Sequence, residues 1–113
     1  MFIAMNRFKV APDQAESFEA MWLSREVHLH TVAGFKAFHM LRGPAGDDHV
    51  LYASHTVWES RDAFEGWTRS DAFRLAHRNA GAPGRGSHTL EPPRFEGFEV
   101  IQTVGADGRT DAA

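Results

Sequence analysis

The chain has 113 residues, of which 42% are hydrophobic, and its formal net charge is −3 at neutral pH. This length supports one hydrophobic core and is too short for two, and the mild acidity gives no reason to expect nucleic acid or an anionic membrane as a partner. The lack of cysteine excludes disulfides, thiolate metal sites and thiol nucleophiles. No apolar run reaches the ~18 residues of a membrane span. The apolar stretch before Asn6 is too short for the hydrophobic region of a signal peptide, so we expect a cytoplasmic protein.

The apolar pattern predicts four strands and two helical regions. Pro12 suits the first turn of a helix, and Asp13 favours its positive end. Ser60 and Ser70 are each suited to cap a helix, so the second helical region should bend at Ser70. In chain order the elements are a strand over 2–10, a helix from Pro12 to about Glu26, strands over 35–42 and 49–58, helices over 61–69 and after Ser70, and a strand over 94–104.

This β-α-β-β-α-β order is the ferredoxin-like arrangement, an α+β fold with one four-stranded antiparallel sheet. We expect a single domain over residues 1–104, a loop over 80–93 that is long enough to form a lid, and a flexible tail over 105–113. Two helices can cover only one face of the sheet, yet the strands carry apolar residues on both faces. A second apolar face is typical of a binding surface, which favours a homodimer with its sheets face to face.

Asn6 is the polar residue on the apolar side of the first strand. It alternates with Phe2, Ala4 and Phe8. A carboxamide among apolar neighbours needs hydrogen-bond partners or costs free energy. Asn6 is therefore either a satisfied core residue or a donor aimed into a pocket between the sheet and the helices.

His77 and Trp67 lie on the second helical region. His77 follows Phe73 by one helical turn, and it is either a packed histidine or a ligand. No second histidine or carboxylate lies one turn away, so a closed zinc site is not expected, whereas a single neutral imidazole suits an axial bond to heme iron. Trp67 follows Phe64 by three residues, and core packing is its simplest interpretation.

Several motifs together resemble the Isd-type heme-degrading monooxygenases, which are dimeric α+β barrels of the antibiotic-biosynthesis-monooxygenase superfamily. The resemblance covers residues 1–80 and the last strand. Its motifs are Asn6-Arg7, Gly34-Phe35, the run from Thr56 to Ser60, and the segment from Ala63 to His77. It implies that Asn6, Trp67 and His77 are the catalytic residues. His77 would be the axial ligand of the heme iron, Asn6 a distal hydrogen-bond donor, and Trp67 a group pressed against the porphyrin.

The resemblance also implies residues that contact the heme. Trp22 and Arg25 stand where the family often carries phenylalanine and arginine, and a guanidinium such as that of Arg25 binds a propionate well. Trp22 is bulkier than the family residue and could change how heme is seated. Phe64 and Phe73 are the other two residues expected to contact heme.

The implied function is that of a heme oxygenase, which opens heme to a biliverdin-like tetrapyrrole and releases iron for iron acquisition. Heme would be both substrate and oxygen-activating cofactor. No nucleotide or flavin motif is present, so electrons must come from an external reductase or a small reductant. Two alternatives stay open: a cofactor-independent monooxygenase of the same superfamily that oxidises a quinol-like aromatic, and a dimer that binds heme without turnover.

Overall fold

The main sheet has four antiparallel strands in the order β2-β3-β1-β4. The computed structural model describes residues 1–24, 29–71, 73–74 and 89–111. Its elements are β1 (Phe2–Val10), α1 (Ala15–Ser24), β2 (Phe35–Ala45), β3 (Val50–Trp58), α2 (Arg61–Thr68), β4 (Arg94–Glu99), and a hairpin of β5 (Thr103–Val104) and β6 (Thr110–Asp111). The predicted ferredoxin-like α+β fold is therefore confirmed. None of the helices in these ranges has both the length and the apolar content that a membrane crossing requires.

Local sequence explains where the helices begin. Pro12 opens a 3-10 turn over Pro12–Gln14 that runs directly into α1. The Ser60 hydroxyl accepts a hydrogen bond from the Ala63 N–H at 3.1 Å and so caps α2. Beyond the end of α2, the Ser70 hydroxyl accepts a hydrogen bond from the Phe73 N–H at 3.2 Å. The predicted bend at Ser70 is confirmed, because this residue caps a new helical turn.

Alternation along the strands divides the sheet into a helix face and an open face. On β1, the side chains that are almost fully buried belong to Phe2, Ala4, Phe8 and Val10, and these define the helix face. The odd-numbered residues of β1 lie on the opposite, open face, which no described helix covers. From β1, β2, β3 and β4 this face includes Ile3, Met5, Arg7, Ala37, His39, Leu41, Ala53, His55, Val57, Glu96 and Phe98.

Two apolar clusters lie on the helix face, near opposite ends of β1. We call the first the α2-side cluster; it contains Phe2, Ala4, Leu29 and Trp58, with Phe64 and Trp67 packed against it. We call the second the α1-side cluster; it contains Phe8, Val10, Phe18 and Tyr52, with Trp22 and Met40 packed against it. Each helix therefore buries its apolar side on its own part of the sheet.

Gly34 joins the start of β2 to α2. Its φ is +84°, and a Cβ at this position would lie 2.4 Å from the Cβ of Ala63. The Gly34 carbonyl also accepts a hydrogen bond from the Glu59 N–H at 2.8 Å. Only glycine combines this backbone conformation with so close an approach to the helix.

The last strand ends earlier than the sequence pattern predicts, at Glu99 rather than at residue 104. Phe2 is the first residue of β1, and Glu99 is its partner. The Val100 N–H still reaches the Met1 carbonyl at 2.9 Å, but beyond that point β1 offers no residue to pair with. Residues 103–111 instead form the β5–β6 hairpin, in the region where the sequence predicts the end of the strand and a tail. Most of the predicted loop over 80–93 lies outside the described residues.

Candidate active site

A cavity of about 520 Å³ opens between α1 and β2 on the helix face of the sheet. Its apolar wall includes Trp22, Phe38 and Met40. The rings of Trp22 and Phe38 are stacked, with their centroids 6.0 Å apart and their planes 22° apart. Trp22 also contacts the edges of Phe8 and Phe18, so α1 and β1 both hold the indole in place. Such a wall suits a flat, apolar ligand.

One end of this cavity carries a polar network of Glu19, Arg42 and Tyr52. The Tyr52 hydroxyl donates a short hydrogen bond to the Glu19 carboxylate. Arg42 Nη1 donates to Glu19 Oε2 at 3.1 Å. The Tyr52 hydrogen bond is the largest influence on the pKa of Glu19 and, together with the charge and hydrogen bond of Arg42, it holds this pKa below its usual range despite the opposing effect of desolvation. Burial and the Glu19 carboxylate raise the pKa of Tyr52 to about 12, so Tyr52 is a neutral donor at physiological pH.

Asn6 lies on the helix face between the two apolar clusters. Its partners in the register are Ser54 on β3 and Phe95 on β4. Ser54 and the nearby Thr56 are each only 6% exposed, whereas Asn6 is half-buried. No side-chain hydrogen bond joins the Asn6 carboxamide to another described residue. The structure therefore places an amide donor between the two apolar clusters on the helix face, with part of its surface accessible.

Trp67 lies in the last turn of α2, within a group of aromatic rings. Its ring centroid is 5.6 Å from that of Trp58, 6.1 Å from that of Phe64 and 4.9 Å from that of Phe73. The Ser70 hydroxyl donates to the Trp67 carbonyl at 2.6 Å and accepts from the Phe73 N–H. Ser70 therefore connects Trp67 and Phe73 at the bend, where their rings are in contact. Trp67 is half-buried, so it packs on the core through one part of its surface and leaves another part accessible.

The predicted site residues in the described ranges occupy one face of the sheet. Phe64, Trp67 and Phe73 form one aromatic group on the α2 side, and Trp22 belongs to the α1 side. Across the sheet, Asn6 is level with Met40 on β2, because both residues pair with Ser54. Met40 lies between Phe38, which packs on the α2-side cluster, and Arg42. Phe38 links the two sides, because its ring also stacks on Trp22. The sequence predictions for Arg25 and His77 lie outside the described residues.

Two parts of the site were not predicted from the sequence. The first is the network of Glu19, Arg42 and Tyr52. A weak signal for it exists, since Tyr52 is the only tyrosine of the chain and has the same strand parity as Val50 and Trp58. The second is Phe95, which is 51% exposed and stacks on Phe64 at 5.4 Å. Sequence patterns do not predict the contact of Phe95 with Phe64, because the two residues are 31 positions apart.

Known proteins that are similar to this chain include oxygenases. Over 109 residues, 96% of each chain, the protein is 28% identical to a mycobilin-producing heme oxygenase of Mycobacterium tuberculosis. The structure of the heme-degrader MhuD from M. tuberculosis, with two hemes bound in its active site, matches at 27% identity with a TM-score of 0.70, over 93% of this chain and 100% of that one. The cofactor-independent oxygenase SnoaB from Streptomyces nogalater matches at 25% identity with a TM-score of 0.59, over 91% of this chain and 95% of that one.

The similarity also appears at the level of the family. The model for antibiotic biosynthesis monooxygenase matches residues 1–79, which include β1 to β3, both helices and the bend at Ser70. That stretch carries the motifs from which the sequence predicts this superfamily. It also contains Asn6, Trp22 and Trp67, whereas Phe95 lies beyond it. The chain therefore belongs to the antibiotic biosynthesis monooxygenase family.

Proposed function

We propose that this protein is a heme-degrading monooxygenase, which opens heme to a biliverdin-like tetrapyrrole and releases iron. The observation that carries the proposal is the half-buried Asn6 carboxamide between two aromatic walls, one formed around Trp67 and one around Trp22. The 28% identity to a heme oxygenase over 96% of the chain supports it.

The described residues fit a large flat substrate. The 520 Å³ cavity is within the roughly 300–1,000 Å³ of typical ligand pockets. Aromatic rings from both helices can pack against a porphyrin, and Ser54 and Thr56 are buried in the sheet beside Asn6. The Glu19–Arg42–Tyr52 network carries no net charge when Glu19 is ionised, so it does not repel a substrate that bears carboxylates.

In this proposal each residue has one task. Heme, when bound, supplies the iron at which dioxygen is activated. The Asn6 N–H donates a hydrogen bond on the distal side, Trp67 presses on the porphyrin, and Phe64, Phe73 and Trp22 hold its faces and edge. From the sequence, His77 is assigned as the axial ligand and Arg25 as the partner of a propionate. Electrons come from an external reductase or a small reductant, and a cytoplasmic location stays a prediction.

A second candidate is a cofactor-independent monooxygenase acting on a quinol-like aromatic. The match to SnoaB favours it, as does the position of the 520 Å³ cavity, which lies beside Trp22 and Tyr52 and is not lined by Trp67. A third candidate, a dimer that binds heme without turnover, would use the same residues. The three differ in whether heme binds and whether it is then consumed.

Hemin titration followed by reduction distinguishes these candidates. We expect hemin to produce a histidine-ligated Soret band, which then disappears when ascorbate or a reductase is added in air, with an open tetrapyrrole detected by mass spectrometry. A protein that produces no Soret shift would favour the quinol-type enzyme. A Soret band that persists under reductant and air would favour a heme-binding dimer.

The iron ligand can be tested with His77→Ala. We expect this variant to fold and to lose most of its heme affinity, because it lacks the axial bond. His49→Ala is the matched control, since His49 directly precedes β3, hydrogen-bonds to Asp48 and does not line the cavity. If His77→Ala bound and degraded heme as the wild type does, the ligand assignment would be wrong.

The open face of the sheet leads to the proposal of a homodimer. Along β1 and β3 this face presents Ile3, Met5, Ala53 and Val57, and on β4 the side chain of Phe98 is 46% exposed. An apolar surface of this kind usually contacts another protein. A second copy supplies the same surface in return, which is the geometry of a two-fold symmetric contact.

A further inference from the structure

Two histidines lie directly opposite each other on the open face, away from the candidate active site. His39 on β2 and His55 on β3 are partners in the antiparallel register. Their ring centroids are 5.6 Å apart and their planes are 48° apart. The next residue in the same row is Met5 on β1, which is the register partner of His55. Three possible metal ligands therefore follow one another across three adjacent strands.

We propose that His39, His55 and Met5 form a binding site for copper(I). Imidazole nitrogen binds copper well, and the thioether of methionine is a soft ligand that selects copper in its monovalent state. The donor set of two nitrogens and one sulfur is thus matched to this ion. The proposal does not depend on heme binding or turnover.

The spacing of the two rings suits a shared ion. A metal–imidazole bond of about 2.0 Å brings the ring centroids of two ligands on one ion to roughly 5 Å. The observed 5.6 Å is close to this value, so small side-chain rotations are sufficient. Opposite residues of adjacent strands have Cβ atoms about 5 Å apart, and the long unbranched side chain of Met5 spans that distance.

The surroundings favour a monovalent ion over a divalent one. The side chains two positions before and after the histidines on their strands are Ala37 and Leu41 on β2, and Ala53 and Val57 on β3. Glu96 on β4 is the register partner of Met5 and lies two strands from His55. Its carboxylate forms a salt bridge with Arg7 Nε at 2.7 Å. No group of three histidine, aspartate or glutamate side chains suited to a metal occurs in the described part of the chain. Since the cost of removing an ion from water rises steeply with its charge, neutral ligands among apolar side chains favour copper(I).

The site is also accessible from the edge of the sheet. β2 is an edge strand, and the His39 side chain is exposed, whereas His55 and Met5 are half-buried. In a single chain, an ion can therefore enter at His39. In the proposed dimer, the three ligands lie on the face that contacts the second copy.

Anaerobic competition with a chromophoric copper(I) chelator tests the proposal. We expect the wild-type protein to withdraw one copper(I) per chain from bicinchoninate. His39→Asn and His55→Asn should each weaken copper(I) binding by more than the roughly tenfold that loss of an outer-shell partner costs, because each removes a ligand itself. His49→Asn removes a histidine elsewhere and should bind copper(I) as the wild type does.

Met5→Leu isolates the role of sulfur, because leucine has nearly the same volume as methionine. We expect this variant to bind copper(I) about tenfold more weakly while its weak binding of Zn²⁺ is unchanged. X-ray absorption should show a sulfur scatterer in the wild type that is absent from Met5→Leu. The proposal is overturned if the wild type fails to compete with the chelator, or if the histidine and methionine variants bind copper(I) like the wild type. Hemin titration of the same variants should give wild-type Soret bands, so a failure here is separable from a failure of the proposed function.

Discussion

Asn6 is a polar residue in a place where an apolar one would pack better. Neighbouring positions on the same side of β1 are Ala4 and Phe8, both buried, and each belongs to an apolar cluster. A carboxamide between them costs free energy unless it binds something, and no described side chain hydrogen-bonds to it. A partly accessible amide in this position is suited to donate a hydrogen bond to a ligand.

We predict that Asn6→Ala keeps the Soret band of the hemin complex and loses most of the turnover, by about 10- to 100-fold in rate. The amide is needed for bound oxygen and contributes little to holding the porphyrin. Asn6→Asp keeps the shape of the side chain without its N–H donor, so it should be impaired as well. Stopped-flow absorbance during reduction in air measures the loss of turnover. Full activity in both variants would indicate that Asn6 has only a structural role.

Trp67 combines core packing with exposure to the site. It contacts Trp58, which is fully buried, and so truncation removes packing in addition to any contact with substrate. Because Trp67 is half-buried, we expect Trp67→Ala to cost less than the ~3–5 kcal/mol of a fully buried tryptophan.

For substrate turnover we predict that Trp67→Phe binds heme nearly as well as the wild type, degrades it more slowly and leaves the porphyrin measurably flatter. Trp67→Ala should lose most activity. Trp58→Phe is the comparison variant, since it perturbs the core beneath Trp67 and should lower the melting temperature more than it lowers turnover. Resonance Raman spectra and urea denaturation measure the two effects. Equal losses of stability, heme affinity and turnover in Trp67→Ala would identify Trp67 as a core residue alone.

At the scale of the elements, Gly34 decides how closely β2 approaches α2. We predict that Gly34→Ala lowers the free energy of unfolding by about 2–4 kcal/mol, because alanine disfavours a φ of +84° and its Cβ would collide with Ala63. Gly66→Ala is the matched control. Gly66 lies inside α2 with open space around it, so alanine there should stabilise the protein by about 0.5–1 kcal/mol. Urea denaturation of both variants checks the expected opposite signs.

The network at the end of the cavity ties α1 to β2 and β3. We predict that Tyr52→Phe lowers stability by about 1–2 kcal/mol at neutral pH, because it removes a hydrogen bond to an ionised carboxylate. The folded pKa of Glu19 is below its unfolded value, so the stability that this group contributes is present above the unfolded pKa and is lost as the pH falls through the folded one. The difference between wild type and Tyr52→Phe should therefore shrink in acid. A difference that stays constant from neutral pH to about pH 3 would contradict this account.

At the scale of the whole molecule, the open face is the feature that the fold of one chain leaves unexplained. We predict that the protein sediments with about twice its 12.6 kDa chain mass at micromolar concentration. Ile3→Lys places a charge in the middle of this face, between Val57 and Phe98, and should produce monomers. Ser17→Lys adds the same charge on the exposed side of α1 and should leave the mass unchanged. A wild-type protein that stays monomeric would exclude both the dimer and the barrel.

The order of the elements, the cap at Ser60, the bend at Ser70 and the side of β1 on which Asn6 lies were all predictable from the sequence. Each depends on interactions within a few residues or on the two-residue repeat of a strand, and local patterns carry that information. The family could be predicted too, because its motifs stand at their expected spacing along residues 1–79.

Other features were decided only by the tertiary structure. β4 ends at Glu99 because the strand beside it begins at Phe2, and no pattern within β4 records where its partner starts. The contacts of Glu19 with Tyr52 and Arg42 join residues 33 and 23 positions apart, and the ring pair of His39 and His55 depends on the register of two strands. Local chemistry therefore determined which segments are helix or strand and which residues share a face. Long-range pairing decided which side chains meet, because a contact between distant residues exists only after the sheet has set their register.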